Sequence, residues 1–166
     1  MENQRQPWNW IFGAGLVEGV PTVAMALVLI IAGTPSVQAQ SYRVIHNFSG
    51  GDGANPYAGL TIDARGNLYG TTSHSAAGYG SVFQLKRSGT DFTLNPLYSF
   101  TGGRDGIGPY ARVVFGPGGT FYGSTVAGGH SGCNYDQWVG CGTVFKLRPP
   151  ATACKTAICA WSKTVL

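Results

Sequence analysis

The stretch Gly66-Asn67-Leu68-Tyr69-Gly70-Thr71-Thr72 returns as Gly119-Thr120-Phe121-Tyr122-Gly123-Ser124-Thr125, with the tyrosines 53 positions apart. Three more blocks recur in the same order. Phe48-Ser49-Gly50-Gly51-Asp52-Gly53 returns, with one inserted residue, as Phe100-Thr101-Gly102-Gly103-Arg104-Asp105-Gly106. Pro56-Tyr57-Ala58 returns as Pro109-Tyr110-Ala111. Gly80-Ser81-Val82-Phe83-Gln84-Leu85 returns as Gly142-Thr143-Val144-Phe145-Lys146-Leu147. A period near 50 residues constrains the fold strongly, because each unit must be one supersecondary element that buries its apolar face against the next.

Within a unit the pattern alternates with period two, the signature of strands. The first strand is expected over Ala58–Asp63, with Leu60 and Ile62 on one face as Val113 and Phe115 are in the second copy. The second is expected over Asn67–Thr72, the third over Ser81–Lys86 and the fourth over Phe92–Phe100. Pro96 lacks a ladder donor and places the fourth strand at a sheet edge. Turn formers separate the strands, among them Asp63-Ala64-Arg65-Gly66 and Arg87-Ser88-Gly89-Thr90. Gly70 and Gly123 each follow a tyrosine mid-strand, where a missing side chain would let a neighbouring sheet approach. Glycine is abundant, at 26 residues, and only 11% of the chain is charged, which suits short strands joined by tight turns rather than a disordered chain.

These readings give an all-β fold of β-propeller-like tandem blades, each a four-stranded antiparallel sheet. About two blades are present: repeat 1 over 48–99 and repeat 2 over 100–166, cut before a third. Trp161–Leu166 aligns with Phe92–Leu97, and Ile45–Phe48 aligns with Leu97–Phe100. Closed propellers take about four or more blades. The remaining blades are therefore expected from a longer chain or from oligomerisation.

The block Gly66–Thr72, then Gly80–Leu85, then Leu97-Tyr98-Ser99-Phe100, with the second copies Gly119–Thr125 and Gly142–Leu147, resembles the GloVer-type tandem repeat of exported bacterial proteins, over about residues 44–166. That resemblance implies a propeller-like array outside the cytoplasm, often with a C-terminal sorting signal, and no established activity. The chain differs from the family pattern in its few repeats and in showing no C-terminal sorting or anchoring segment by sequence.

Residues 19–33 form an uncharged, mostly apolar run, with Arg5 upstream and the small residues Val37 and Ala39 downstream. This reads as a signal peptide over 1–39, cut after Ala39 and followed by a repeat domain over 40–166. An uncleaved anchor is the alternative, and membrane contact is expected only through this leader. Both readings place the repeats in a secreted or extracytoplasmic location. Net charge is +4 and the longest basic run is Lys86-Arg87, so no nucleic-acid surface is expected.

All four cysteines lie in insertions of the second repeat. Cys133 and Cys141 fall between its second and third strands, Cys154 and Cys159 between its third and fourth. Those loops leave opposite ends of a strand about 15 Å long, beyond the ~7 Å that a disulfide spans. The pairs Cys133–Cys141 and Cys154–Cys159 follow. A four-cysteine zinc site is the rival, disfavoured by the same separation and by export.

Loops between strands two and three share a face with the loops that join one unit to the next. That face is expected to gather Asp52, Asn55, His74, Tyr79, Arg104, Asp105, His130, Tyr135, Asp136 and Trp138 as a candidate binding face. Tyr135 and Trp138 are suited to stacking on a sugar ring or packing on a partner protein; Trp138 as local core is the alternative. Asp52 and Asp105 sit in glycine-rich turns that suit either a calcium ion or an aspartate bonding its own backbone. His46, His74 and His130 show no metal-ligand spacing. No catalytic residue, metal or cofactor is assigned. No Glu follows Ala39 and no Gly-x-Ser-x-Gly elbow occurs. The function expected is an exported, non-catalytic binding or cell-surface scaffold module with a glycan or protein ligand. The alternative is a carbohydrate-active enzyme, a glycoside hydrolase or lyase, with its site on the loop-rich face. A hydrolase requires two carboxylates about one bond.

Overall fold

The computed structural model describes residues 40–151 and 161–166. The leader and the Cys154–Cys159 pairing lie outside the described residues. Arg43–Leu166 forms one compact unit.

The first repeat forms a four-stranded antiparallel meander: β1 (Thr61–Ile62), β2 (Leu68–Thr72), β3 (Ser81–Ser88) and β4 (Asp91–Ser99), in that spatial order. The second repeats it with β5 (Val114–Phe115), β6 (Phe121–Thr125), β9 (Thr143–Arg148) and β10 (Ser162–Val165). Between β6 and β9 the insertion forms a small hairpin of β7 (Asn134–Tyr135) and β8 (Trp138–Val139). The described residues are thus all-β, with two 3-10 turns.

The expected first strand is shorter than its alternation suggested. Only Thr61 and Ile62 pair with β2. Asp63 then ends the pairing by folding back on the turn. Its carboxylate accepts from the amides of Arg65 (2.8 Å) and Asn67 (2.9 Å), from Asn67 Nδ2 (2.8 Å) and from Tyr69 Oη (3.0 Å). Pro96 does lie in an edge strand, β4. Beside it the ladder slips: Phe83 pairs with Pro96 and Val82 with Tyr98. The extra residue, Leu97, is turned into the core and is buried.

The two sheets meet face to face. Tyr69 projects from β2 onto Phe115 and Phe121 of the second sheet, with ring centroids 5.4 and 4.7 Å away. The Thr61 hydroxyl donates to the Val113 carbonyl, and Thr71 Oγ1 donates to Ala111 O at 3.3 Å. The core gathered here comprises Tyr69, Val82, Leu97, Phe100, Val113, Phe121, Phe145 and Leu147. The mid-strand glycines serve a different end from the one their position suggested. Gly70 pairs across strands with Phe83, and Gly123 with Phe145. A Cβ on Gly70 would stand 2.6 Å from Phe83 Cζ, and one on Gly123 2.5 Å from Phe145 Cζ. Each glycine admits a phenyl ring of its own sheet, not an approaching neighbour sheet.

Candidate functional site

The expected sharing of one face by two sets of loops holds. Isolated bridges join Ala54 to His74 and Ile107 to Ala127. Each ties a loop that opens a unit to the loop after that unit's second strand. The Gly108 amide donates to Tyr79 O at 3.0 Å, linking the first unit to the second.

The two aspartates are consumed by their own turns. Asp52 accepts from the Ser49 amide (2.8 Å) and hydroxyl (2.9 Å), and its other oxygen lies 3.0 Å from His46 Nε2. Asp105 accepts from the Thr101 amide (2.8 Å) and hydroxyl (3.1 Å), and from Tyr98 Oη (2.8 Å). These are corresponding residues of the two repeats, so the motif is one device used twice. The Ser49 amide, with the hydroxyl's help, holds the Asp52 carboxyl below its usual range. Burial alone would raise Asp105. The Lys163 ammonium, the Thr101 amide and the Tyr98 hydroxyl outweigh that and lower it. Burial and the Asp105 carboxylate push the Tyr98 phenol up.

Lys163 was not singled out by its sequence. It reaches from β10 with its side chain only 3% exposed, 2.5 Å from the Asp105 carboxylate and over the Phe100 ring. The alignment of Trp161–Leu166 with Phe92–Leu97 sets it against Leu94. A lysine where the first copy has leucine was the available signal.

Arg104 and His130 are brought together. Both are exposed, and with Gly129 and Val165 they line a cleft of about 390 Å³. An adjoining cleft of about 300 Å³ shares Arg104, Gly129 and His130 and adds Ser131. The loops also carry an aromatic row. Tyr135 meets Tyr110 edge to face at 6.3 Å, and Tyr110 meets Tyr57 at 5.7 Å. Tyr57 is 71% exposed and Tyr135 45%. Tyr57 and Tyr110 stand in the sequence only as part of the repeated Pro-Tyr-Ala; the row they form, and the exposure of Tyr57, were not apparent from it.

Trp138 is half-buried, its ring 5.7 Å from that of His74. Gly108 lies beneath it: a Cβ there would stand 3.0 Å from Trp138 Cζ3. Asn55 Nδ2 lies 3.3 Å from His74 Nδ1. Tyr79 is also half-buried, its ring against Gly102 and the core. Asp136 takes a left-handed φ of 54° at the hairpin tip, where it leaves Tyr135 and Trp138 paired on the two strands. The Cys133–Cys141 disulfide closes the base of this hairpin, with Cα atoms 4.8 Å apart.

Among the described residues, no three or more His, Cys, Asp or Glu side chains converge as a metal site would require, and no helix is long and apolar enough to cross a membrane. The family model of the Gloeobacter/Verrucomicrobia repeat matches residues 33–163. No curated protein and no solved structure matches the chain.

Proposed function

The chain belongs to the Gloeobacter/Verrucomicrobia repeat family, and we propose that it is an exported, non-catalytic binding module built as part of a propeller-like array. Two four-stranded meanders packed face to face support the blade reading. The disulfide suits an oxidising, extracytoplasmic compartment. One observation carries the binding role: the row Tyr57–Tyr110–Tyr135 exposes two phenol rings among the elaborated loops, which also carry the Arg104–His130 cleft. Phenol rings offer a flat apolar surface with a polar tip, which suits the apolar face and hydroxyl rim of a sugar. Arg104 adds a fixed charge and planar donors for a carboxylated or hydroxyl-rich ligand. The ligand class proposed is a glycan. Asp52 and Asp105 hold turns, which favours binding over the two-carboxylate chemistry of a hydrolase.

A glycan array followed by calorimetry tests this. The expected result is retention of a glycan without turnover, with Tyr57→Ala and Tyr135→Ala each weakening binding about tenfold, or ~1.4 kcal/mol. Absence of any retained glycan, unchanged affinity in both variants, or cleavage of the bound glycan would each overturn the proposal.

A further inference from the structure

The interface between the two sheets has an unfilled copy on the opposite end of the molecule. The receiving surface for Tyr69 and Val82 is built from Val113, Phe145 and Leu147 of the second unit together with Leu97 and Phe100 at the end of β4, all buried. Their counterparts one repeat earlier are Ile45, Phe48, Leu60, Phe83 and Leu85. These five residues line an open cleft of about 270 Å³ on the outer face of the first sheet. The packing beneath is the same: Phe48 meets Phe83 at 5.1 Å as Phe100 meets Phe145 at 5.2 Å. Among the described residues none plays the part of Tyr69 there, and Leu60 and Ile62 are 43% and 64% exposed.

The projecting surface is also present twice. Tyr69 and Val82 have counterparts in Tyr122 and Val144 on the outer face of the second sheet. Val82 is fully buried, whereas Val144 is 54% exposed and Val114 beside it 50%. Gln84 donates to Tyr69 Oη at 2.8 Å; its counterpart Lys146 lies over the Tyr122 ring at 5.4 Å. One inter-sheet hydrogen bond can be repeated as well. Ser124 stands where Thr71 does, and Ala58 where Ala111 does, so the Ser124 hydroxyl has the same carbonyl to reach. Thr61 is replaced by Val114, which gives an apolar contact instead.

We propose that the chain associates head to tail with a second copy of itself, the outer face of one copy's second sheet seating on the Phe48–Leu60–Phe83–Leu85 cleft of the next. Tyr122 then packs on Ile62 and Leu68, as Tyr69 packs on Phe115 and Phe121 within the chain. The occupant follows from continuity with the existing interface: among its described residues each copy carries an unfilled receiving face and an unpaired projecting face. Exposed apolar patches of this kind mark association surfaces. A heterologous contact also gives a ring or a filament, not a symmetric face-to-face dimer.

The test is the mass in solution of the purified chain, by light scattering and sedimentation, for the wild type, Ile62→Asp and Val144→Asp. Both sites are exposed, so circular dichroism should show the fold kept. The wild type is expected at two or more times the chain mass. Each variant should associate roughly 100-fold more weakly, because a carboxylate is driven into an apolar contact. Mixed together, the two variants should form a 1:1 heterodimer that grows no further, since each retains the face the other lacks. A wild type that is monomeric at all concentrations, leaving these faces to some other repeat polypeptide, would overturn the proposal. Variants that fold but form no heterodimer on mixing would overturn it too.

Discussion

Phe83 lies across Gly70, its cross-strand partner, so closely that a Cβ on the glycine would stand 2.6 Å from the ring's Cζ. The same site would also press on Leu60 Cδ2 at 2.8 Å. Gly70→Ala is therefore expected to destabilise the fold by about 1–3 kcal/mol through overpacking. Gly59→Ala is the control. Nothing stands within 4 Å of its Cβ position and its φ is not positive, so it should change stability by no more than about 0.5 kcal/mol. Urea midpoints compare the two; equal effects would refute the account of the paired ring.

The Asp105–Lys163 pair makes the second repeat acid-sensitive. Burial opposes the Asp105 charge, but Lys163, Thr101 and Tyr98 together hold its carboxyl below the ordinary 3.8. A carboxyl lowered in the folded state contributes stability that is fully present above the unfolded value. That contribution is lost as pH falls through the folded one. Asp105→Asn should remove about 3 kcal/mol at neutral pH, because Lys163 is left buried without its charge partner. The slope of stability against pH below about 4 should flatten in the variant. Residual acid sensitivity should persist, since Asp52 and Asp63 are lowered as well. Urea titrations from about pH 2 to about pH 7, spanning the carboxylate range, measure both effects.

Repetition makes the strand order, the edge position of β4 and the shared loop face legible in the sequence alone. Spacing and topology also sufficed for Cys133–Cys141. What alternation could not convey was the length of β1. Leu60 and Ile62 alternate like a full strand, yet the Asp63 turn limits pairing to two residues. Nor could it say which neighbour fills the space above Gly70, because a cross-strand ring and an approaching sheet make the same demand on the sequence. The loop face proposed for binding was legible as a list of residues but not as an arrangement. Asp52 and Asp105 turned inward to their own turns, while Tyr57 and Tyr110, hidden inside a repeated motif, form the row with Tyr135.

Asp63 should matter more than an exposed turn residue ordinarily does. It receives four hydrogen bonds from the β1–β2 turn and from Tyr69, whose ring is the main projection into the second sheet. The second repeat has Gly116 at this position, and its turn is held instead by Thr120 Oγ1 donating to Pro117 O at 2.9 Å. Asp63→Ala is expected to lower stability by about 1–3 kcal/mol, the range for stranding polar partners. Thr120→Val should cost less, about 1 kcal/mol, since one hydrogen bond is lost. Denaturant unfolding of the two variants gives the ranking; the reverse order would count against this division of roles.

The Cys133–Cys141 bridge should act on the inserted hairpin and leave the sheets in place. It closes a loop with a sequence separation of 8. Loop-closure entropy for such a short loop is worth about 2–3 kcal/mol. The hairpin base has further ties: the Gly140 amide donates to Cys133 O at 2.8 Å, and the Cys141 amide to His130 O at 3.1 Å. The doubly substituted Cys133→Ser, Cys141→Ser chain should therefore keep its far-ultraviolet dichroism. Its amide exchange should quicken over 133–141 while the amides of β6 and β9 stay protected. Because Tyr135 and Trp138 ride on this hairpin, the same variant should lose part of any affinity the loop face has for a ligand. Exchange that quickens equally in β6 and β9 would show that the bridge supports the sheet itself.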